Sequence, residues 1–584
     1  MSITGLRHKT HAVDFCVVGG GLAGLCAAIA AARRGARVAL VHERPVLGGN
    51  ASSEIRMWIW GARGLNNRET GIIEELLLEN RYRNPLRNYS IWDSVLYGAA
   101  RQEKNLTLLL NCSCNDVRMD GRRIRAVKGW QTTTQTWHTV EADLFADCSG
   151  DSILAPLSGA EYRTGREASG EFGESTAPAR ADRQTMGMSC LIQARQTDRP
   201  QPFVPPHWAN VYATDHDLPD RDHDLRNGDP MWNNFWWIEL GGDRDSIHDT
   251  EEVRDDLLKA AFGVWDHIKN RGDHGAGDWA LDWVGFLPGK RESRRYVGDY
   301  TITENDVRTA GQFEDVAAYA GWPMDDHHPG GMKHPGNPSI LYPVPAPWGI
   351  PYRALYSRNV ENLFCAGRNI STTHAAFSSS RVMATCAIIG QAVGTAAAIA
   401  ARSGLGPRDI YRDSMVCLQQ ALLEDDCYLP GKVRDVPVLT QAAALTASEG
   451  DPEPLRNGID RPAGGADNGW TASPGDWVQY TFDDCQRVRE LRFVFDNDLN
   501  RADTTMLCKY LLQSEPVAVP KTITRAFRVE ALDEEGEWSV VIRIDDNYQR
   551  LVRLPVDIET RAIRFIPETT WGSEVAHLFA WTVK

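Results

Sequence analysis

The stretch VDFCVVGGGLAGLCAAIAAARRGARVALVHE (13–43) passes through three hydrophobic patterns in succession. A β-rich apolar run from Val13 to Val18 enters a glycine turn, an Ala/Leu/Ile helix follows, and a second apolar run covers Arg37 to Val41. That succession is a βαβ unit. Later in the chain, ADLFADCSGD predicts an apolar strand ending at Asp147. NLFCAG predicts another, followed by a small-residue helix that ends near Gly404. From about residue 436 the pattern shortens. The runs GDWVQYTF, VRELRFVF, FRVEAL, WSVVIRI, YQRLVRLP and TRAIRFIP alternate with Gly/Pro/Asp turns, and no helical periodicity appears. Short strands at such spacing predict an all-β sandwich.

The first turn reads G-x-G-x-x-G at Gly19, Gly21 and Gly24. Glycine at these places permits a tight turn, close approach of a pyrophosphate and close packing of helix on strand. Glu43 ends the second strand, where a carboxylate can hold the hydroxyls of an adenosine ribose. Next comes RPVLGGNASSE, with Arg44, Gly48, Gly49 and Ser52, which resembles the flavoprotein pattern for lining the rest of FAD. The Asp-Cys-Ser-Gly-Asp run ending at Gly150 and Asp151 is similar to the Asp-Ala-Thr-Gly-Asp pattern of glutathione-reductase-type flavoproteins. Gly367 and Arg368 end the last strand. Arg381, Val382 and Met383 then open a helix whose N-terminus, with N–H groups from Ser380 to Met383, faces the flavin pyrimidine in many such proteins.

Together these stretches resemble the FAD-dependent oxidoreductase family often found beside bacterial carbohydrate-degrading enzymes. GAEYRTGREASGEFGES (159–175) and GFLPGKRESRRYVGDYTITENDV (285–307) belong to the resemblance, which spans about 1–430. It implies an α/β protein: a Rossmann-like FAD-binding domain (11–151 and 343–430) interrupted by an inserted α+β substrate domain (152–342). NGIDRPAGGADNGWTASPGDWVQYTF resembles the start of a galactose-binding-like (discoidin) sandwich, placing that module at 436–584, either docked on the body or binding sugar. Trp470, Trp477 and Trp571 are its candidate stacking residues.

At 584 residues the chain exceeds one compact core. Its net charge of −15 disfavours nucleic acid or an anionic membrane as partner. The run 384–401 holds Gly, Gln and Thr, too mixed for a membrane span, and the N-terminus lacks an apolar signal core. Twelve cysteines without a CxxC pair read as a reduced, cytoplasmic protein. No second GxGxxG follows a strand, so a separate NAD(P)H domain is not expected.

Over the flavin, the segments around the last strand offer Tyr352, Arg353 and His374, with Arg56 from the earlier glycine loop. His374 lies in NISTTHAAFSSSRVMATC, among hydroxyls. An ordinary imidazole pKa of about 6.5 suits it to accept a hydroxyl proton as hydride leaves for flavin N5; the alternative is a histidine that only orders its loop. His327, His328 and His334 sit in a Pro/Gly-rich loop without metal-site spacing, so no metal is expected. GKRESRRYVGDY (289–300) reads as a buried ion-pair hub. The Trp-rich stretches 231–243 and 277–286 serve either core packing or sugar stacking, and Phe235 to Leu240 is expected to help roof the flavin.

The leading reading is oxidation of a carbohydrate or polyol hydroxyl, including a redox-neutral oxidation and elimination of a glycoside. Amine oxidation, alkene reduction and a carbohydrate-binding or assembly protein with structural FAD are the rivals. The electron acceptor, covalent attachment of FAD and homo-oligomer formation stay open.

Overall fold

The computed structural model describes residues 5–226, 235–463, 465–502 and 506–584. The chain forms two compact units. Met1–Arg63, Arg87–Leu418 and Thr504–Pro516 make the first; Gly64–Leu86, Gln419–Asp503 and Val517–Lys584 make the second. Three segments thus sit outside the sequence boundaries drawn above, for visible reasons. In the second unit, the helix Ile72–Arg83 sets Leu78 and Tyr82 against Val519, Ile523 and Tyr548. Its Glu74 meets Arg501 at 2.6 Å. Residues 419–430 belong there too, because Asp426 pairs with the buried Arg550 at 2.7 Å. In the first unit, Lys509–Tyr510 adds a parallel strand to Ile192–Gln196.

The first unit is built on the strands β1 (Arg7–Val18), β2 (Val38–Val41), β3 (Leu106–Leu109), β4 (Cys112–Asp120), β5 (Arg123–Gln131) and β6 (Thr136–Asp147). Their order is β3-β2-β1-β6-β5-β4. The pairs from β3 to β6 are parallel, and β6-β5-β4 is an antiparallel meander. Beside β6, β5 pairs with residues up to Glu141, and the strand Leu363–Cys365 takes the C-terminal end in parallel register, Phe145 opposite Leu363. Both predicted strand ends therefore arrive next to the first glycine turn.

Helix α1 (Leu22–Arg33) is buried from Leu22 to Ala32, as its lack of a polar face requires. It packs on the helix Met383–Ser403 through small residues. A Cβ on Gly390 or Gly394 would lie 2.0 Å from the carbonyl oxygens of Ala23 or Ala27. By length and composition Met383–Ser403 is apolar enough to cross a membrane, but 94% of its apolar window is buried in the fold, as in a core helix. Its small residues serve this helix contact.

Residues 152–342 form several small sheets instead of one roof. Met188–Ser189 lies between Glu239–Leu240 and Gly289–Lys290, and Trp279–Val284 pairs with Ile192–Gln196. Of the expected strand Phe235 to Leu240 only Glu239–Leu240 is extended in a sheet; residues 231–234, including Trp232, lie outside the described residues. The strand Met324–His327 pairs antiparallel with Ser339–Tyr342. Thus His327 belongs to a strand, and the loop begins at His328.

The second unit is all-β apart from short helices, with a main sheet path of six strands. Runs read as separate strands join here. Val478–Phe495 and Leu551–Thr570 are each continuous, with irregular register between Thr481 and Gln486 and between Val488 and Glu490. Such bulges let one long strand bend. Trp470 is 1% exposed in the core with Phe493, Phe565 and Trp581. It is a packing residue, which corrects its reading as a stacking platform. Trp571 is held by Arg525 over its ring and by donation to Asn547 O at 2.8 Å. Trp477 is half-buried.

Candidate active site

A cavity of about 220 Å³ lies at the C-terminal ends of β1, β6 and Leu363–Cys365, where open parallel sheets bind ligands. The first glycine turn forms its floor. Gly19 has φ +104°, and a Cβ there would meet the Cys148 backbone at 2.4 Å. Gly21 bridges to Gly48, and beyond Gly49 Cα at 3.9 Å nothing crowds it on its Cβ side. Of the expected cofactor residues, Gly19, Gly21, Glu43, Arg44, Gly48, Gly49, Gly150, Gly367, Arg368, Arg381, Val382 and Met383 line this cavity. Three do not. Gly24 packs under the turn, where a Cβ would strike Gly19 O at 1.8 Å. Ser52 is buried and donates to Gly49 O at 2.7 Å. Asp151 stands behind the wall, receiving Lys290 Nζ at 2.7 Å and Arg368 Nη2 at 2.8 Å. Burial opposes its ionisation, but Arg368 and Lys290 outweigh that and hold its carboxyl below the usual range.

These residues fit FAD. Arg44 Nη1, Arg368 Nε and Arg381 Nε are buried guanidinium nitrogens without a hydrogen-bond partner among the described residues, and all three side chains line the cavity. Cationic donors beside a glycine turn suit a pyrophosphate and an electron-rich ring. Glu43 lies just past β2 and is exposed at the cavity, as a ribose-binding acid requires. The helix Met383–Ser403 starts at the cavity with Val382 as N-cap. Its start is later than expected: Ser380 ends the short helix His374–Ser380, and Arg381 N–H donates to Phe377 O. Only Val382 and Met383 keep the predicted place.

Opposite this cradle the wall is aromatic and charged, with Trp58, Trp60, Trp236, Trp322, Asp325 and His327 among the lining residues. His327 is 4% exposed. Its Nδ1 lies 2.7 Å from Glu239 Oε2 and its Nε2 3.3 Å from Asp325 Oδ2. Arg291 approaches Glu239 at 3.4 Å, and Arg381 approaches Asp325 at 3.2 Å. Trp322 Nε1 also donates to Asp325. Glu239 is buried, and the side chain of Asp325 is 13% exposed. Arg291 and, when its ring is protonated, His327 keep Glu239 ionised against burial; His327 in that form and Arg381 do the same for Asp325, well below the usual range. The edge of Trp236 meets His327 with ring centroids 5.0 Å apart.

The four expected catalytic side chains lie elsewhere. His374 does not line the cavity. It is inside the ion-pair hub, Nδ1 at 2.9 Å from Glu292 and Nε2 at 3.2 Å from Asp326. Its backbone N–H donates to Glu167. Arg295 contacts Glu292 and Glu167 in the same network. Burial alone would lower the pKa of His374, but Glu292 and Asp326 reverse that and raise it to about 10. An imidazolium held this firmly is no general base near neutrality. Arg353 pairs with the buried Asp315 at 2.9 Å. Tyr352 is fully buried and donates to Pro407 O at 2.8 Å. Arg56 binds Ser53 O and Gln193, its guanidinium over the rings of Tyr89 and Trp283.

In the sequence His327 belongs to a histidine run without metal-site spacing, and Glu239, Asp325, Arg291 and Trp322 are site residues that the motifs described above do not single out. The available signal was Met-Asp-Asp-His read as a strand, which puts Asp325 and His327 on one face.

A sequence profile of the family described as FAD dependent oxidoreductase matches residues 14–422. A glycerol-3-phosphate dehydrogenase of Mycobacterium leprae (strain TN) is 40% identical over 73 residues, 12% of this chain and 12% of its own. Glycerol-3-phosphate dehydrogenase 2 of Mycobacterium tuberculosis (strain ATCC 25618 / H37Rv) matches to the same extent. Among solved structures, the family 32 carbohydrate-binding module of Streptococcus pneumoniae EndoD is 14% identical, covering 24% of this chain and 97% of its own, with a TM-score of 0.20. L-proline dehydrogenase from P. horikoshii is 19% identical over 25% of this chain and 24% of its own, with a TM-score of 0.17. With its profile match covering most of the sequence and its cavity fitted to the cofactor, the chain belongs to the FAD dependent oxidoreductase family.

Proposed function

We propose that this flavoenzyme oxidises a hydroxyl-bearing carbon of a carbohydrate or polyol, with His327 as the proton acceptor. The observation that carries this reading is the buried imidazole on the cavity wall, its Nδ1 held by Glu239 at 2.7 Å and its Nε2 on the side of Asp325. FAD, when bound, supplies the acceptor for the two electrons and hydrogen that leave carbon. At 3.3 Å the contact between Nε2 and Asp325 is long for a hydrogen bond. With the ring neutral, its hydrogen on Nδ1 toward Glu239 and its lone pair on Nε2, a substrate hydroxyl takes the place of Asp325 there and gives its proton to Nε2 as the carbinol becomes a carbonyl. Glu239 fixes the ring, and Asp325 balances the charge it gains. The indoles of Trp58, Trp60, Trp236 and Trp322 offer flat apolar faces suited to the C–H faces of a sugar ring. The twelve free thiols, ten of them buried, support a reducing, cytoplasmic setting.

Anaerobic mixing tests the reading with the bound cofactor as the only oxidant. Sugars, glycosides and polyols are expected to bleach the flavin absorbance in wild type, with loss of that bleaching in His327→Ala. Bleaching by amines alone, or undiminished reduction in the variant, would reject it.

A further inference from the structure

Away from the cavity, three histidines converge on one carboxylate oxygen. Nε2 of His223, His267 and His274 lies 3.7, 3.2 and 3.5 Å from Asp215 Oδ1. The four candidate ligand atoms all fall within 4.8 Å of one another. They come as two pairs, Asp215 with His223 and His267 with His274, and the pairs lie far apart in sequence. Asp215 opens the short turn Asp215–Asp217, and His223 lies in the loop after it. His267 begins the π-turn His267–Arg271, directly after the helix Thr250–Asp266, and His274 follows in the next loop. No sequence motif of fixed short spacing could show this group.

The hydrogen bonds behind the rings define what the front atoms present. His223 Nδ1 lies 2.6 Å from Arg221 O, and His267 Nδ1 lies 2.9 Å from Tyr212 O. A carbonyl only accepts, so both Nδ1 atoms carry hydrogen and the neutral rings turn an Nε2 lone pair to the centre. The side chain of His267 is fully buried and that of His274 is 7% exposed. Neither Nε2 has a hydrogen-bond partner among the described residues. Imidazole lone pairs gathered round a carboxylate oxygen repel one another unless a cation stands between them.

Separation decides which cation fits. Zinc–nitrogen and zinc–oxygen bonds of about 2.0–2.1 Å put tetrahedral ligand atoms about 3.3–3.4 Å apart. The three Nε2–Oδ1 distances, 3.2 to 3.7 Å, bracket that edge. We propose that Asp215, His223, His267 and His274 bind one zinc ion in a closed tetrahedral site. Four protein ligands leave no position for substrate, which makes the site structural. It fastens the run 212–226, which holds little regular structure, to the end of the helix Thr250–Asp266. None of its ligands lines the flavin cavity.

Elemental analysis of the full chain, grown with zinc and desalted without chelator, is expected to find about one zinc per chain. Chelated protein refilled with Co²⁺ should show the visible d–d bands of a tetrahedral ion without thiolate charge transfer. The double variant Asp215→Asn/His223→Gln should lose both signals and keep its FAD-to-protein ratio. Substoichiometric zinc together with no cobalt spectrum in wild type overturns the proposal. So does full zinc content in the double variant. The wild-type measurement decides the matter even where the variant fails to fold.

Discussion

One strand serves two buried histidines in opposite ways. Met324–His327 turns Asp325 and His327 to the flavin cavity, while Asp326 on the other face meets His374 at 3.2 Å. Each imidazole lies between two carboxylates: Glu239 and Asp325 for His327, Glu292 and Asp326 for His374. They differ in what else reaches the ring. His327 lines a large cavity beside four indoles. His374 reaches only a small pocket of about 10 Å³ and is otherwise held in the hub of Glu167, Glu292 and Arg295, where an imidazolium balances excess negative charge. Carboxylates around a histidine therefore do not identify a catalytic site; access to the reacting atoms does.

The sharpest test of this contrast is His327→Ala. Removing a general base is expected to slow substrate-dependent flavin reduction by about 10²–10⁴-fold in anaerobic stopped flow. The flavin spectrum should change little, and Arg291 and Arg381, which still pair with Glu239 and Asp325, should keep most of the folding stability. His374→Ala should do the reverse. It takes the imidazolium from between buried Glu292, which keeps Arg295, and the partly exposed Asp326, at a cost of about 1–3 kcal/mol in denaturant unfolding. The reduction rate per folded molecule should be kept, and a rate collapse in folded protein would erase the distinction.

The pH dependence of stability follows from the same histidine. A folded-state pKa of about 10 lies above the unfolded value of about 6.5. Its contribution is fully present below the unfolded value and is lost as pH rises through about 10. Melting temperatures of wild type should fall over that window more steeply than those of His374→Gln; parallel curves would contradict the assignment.

Glu239→Gln should slow flavin reduction by roughly 10–100-fold, as expected for a group that sets the orientation of an imidazole, and should shift the pH profile of the rate. Loss of flavin binding alone would reassign Glu239 to the cofactor. Tyr352→Phe has the smallest expected effect. It removes one buried donation to Pro407 O, about 1 kcal/mol in unfolding, with flavin reduction unchanged.

The cofactor half was legible because its chemistry is local. Gly19, Gly21, Glu43, Gly48 and Gly49 fall in one βαβ unit and the turn after it, and glycine at those places has steric reasons that the sequence alone states. The charged stretch 289–300 was likewise legible as a hub, since Arg291, Glu292 and Arg295 are all buried. His374 is close in sequence to the last strand, but that closeness does not carry it to the flavin cavity. The helix His374–Ser380 instead turns the ring into the hub before Val382 and Met383 reach the cavity.

The sequence by itself determined the α/β unit, the glycine cradle for FAD and the all-β region after residue 436, because each rests on short-range periodicity or on the sterics of single residues. Only the tertiary structure decided which histidine faces the cavity, that Trp470 is core, and that Asp215, His223, His267 and His274 meet. Those outcomes depend on which side of a strand or helix is covered by residues distant in sequence, and no local pattern encodes that.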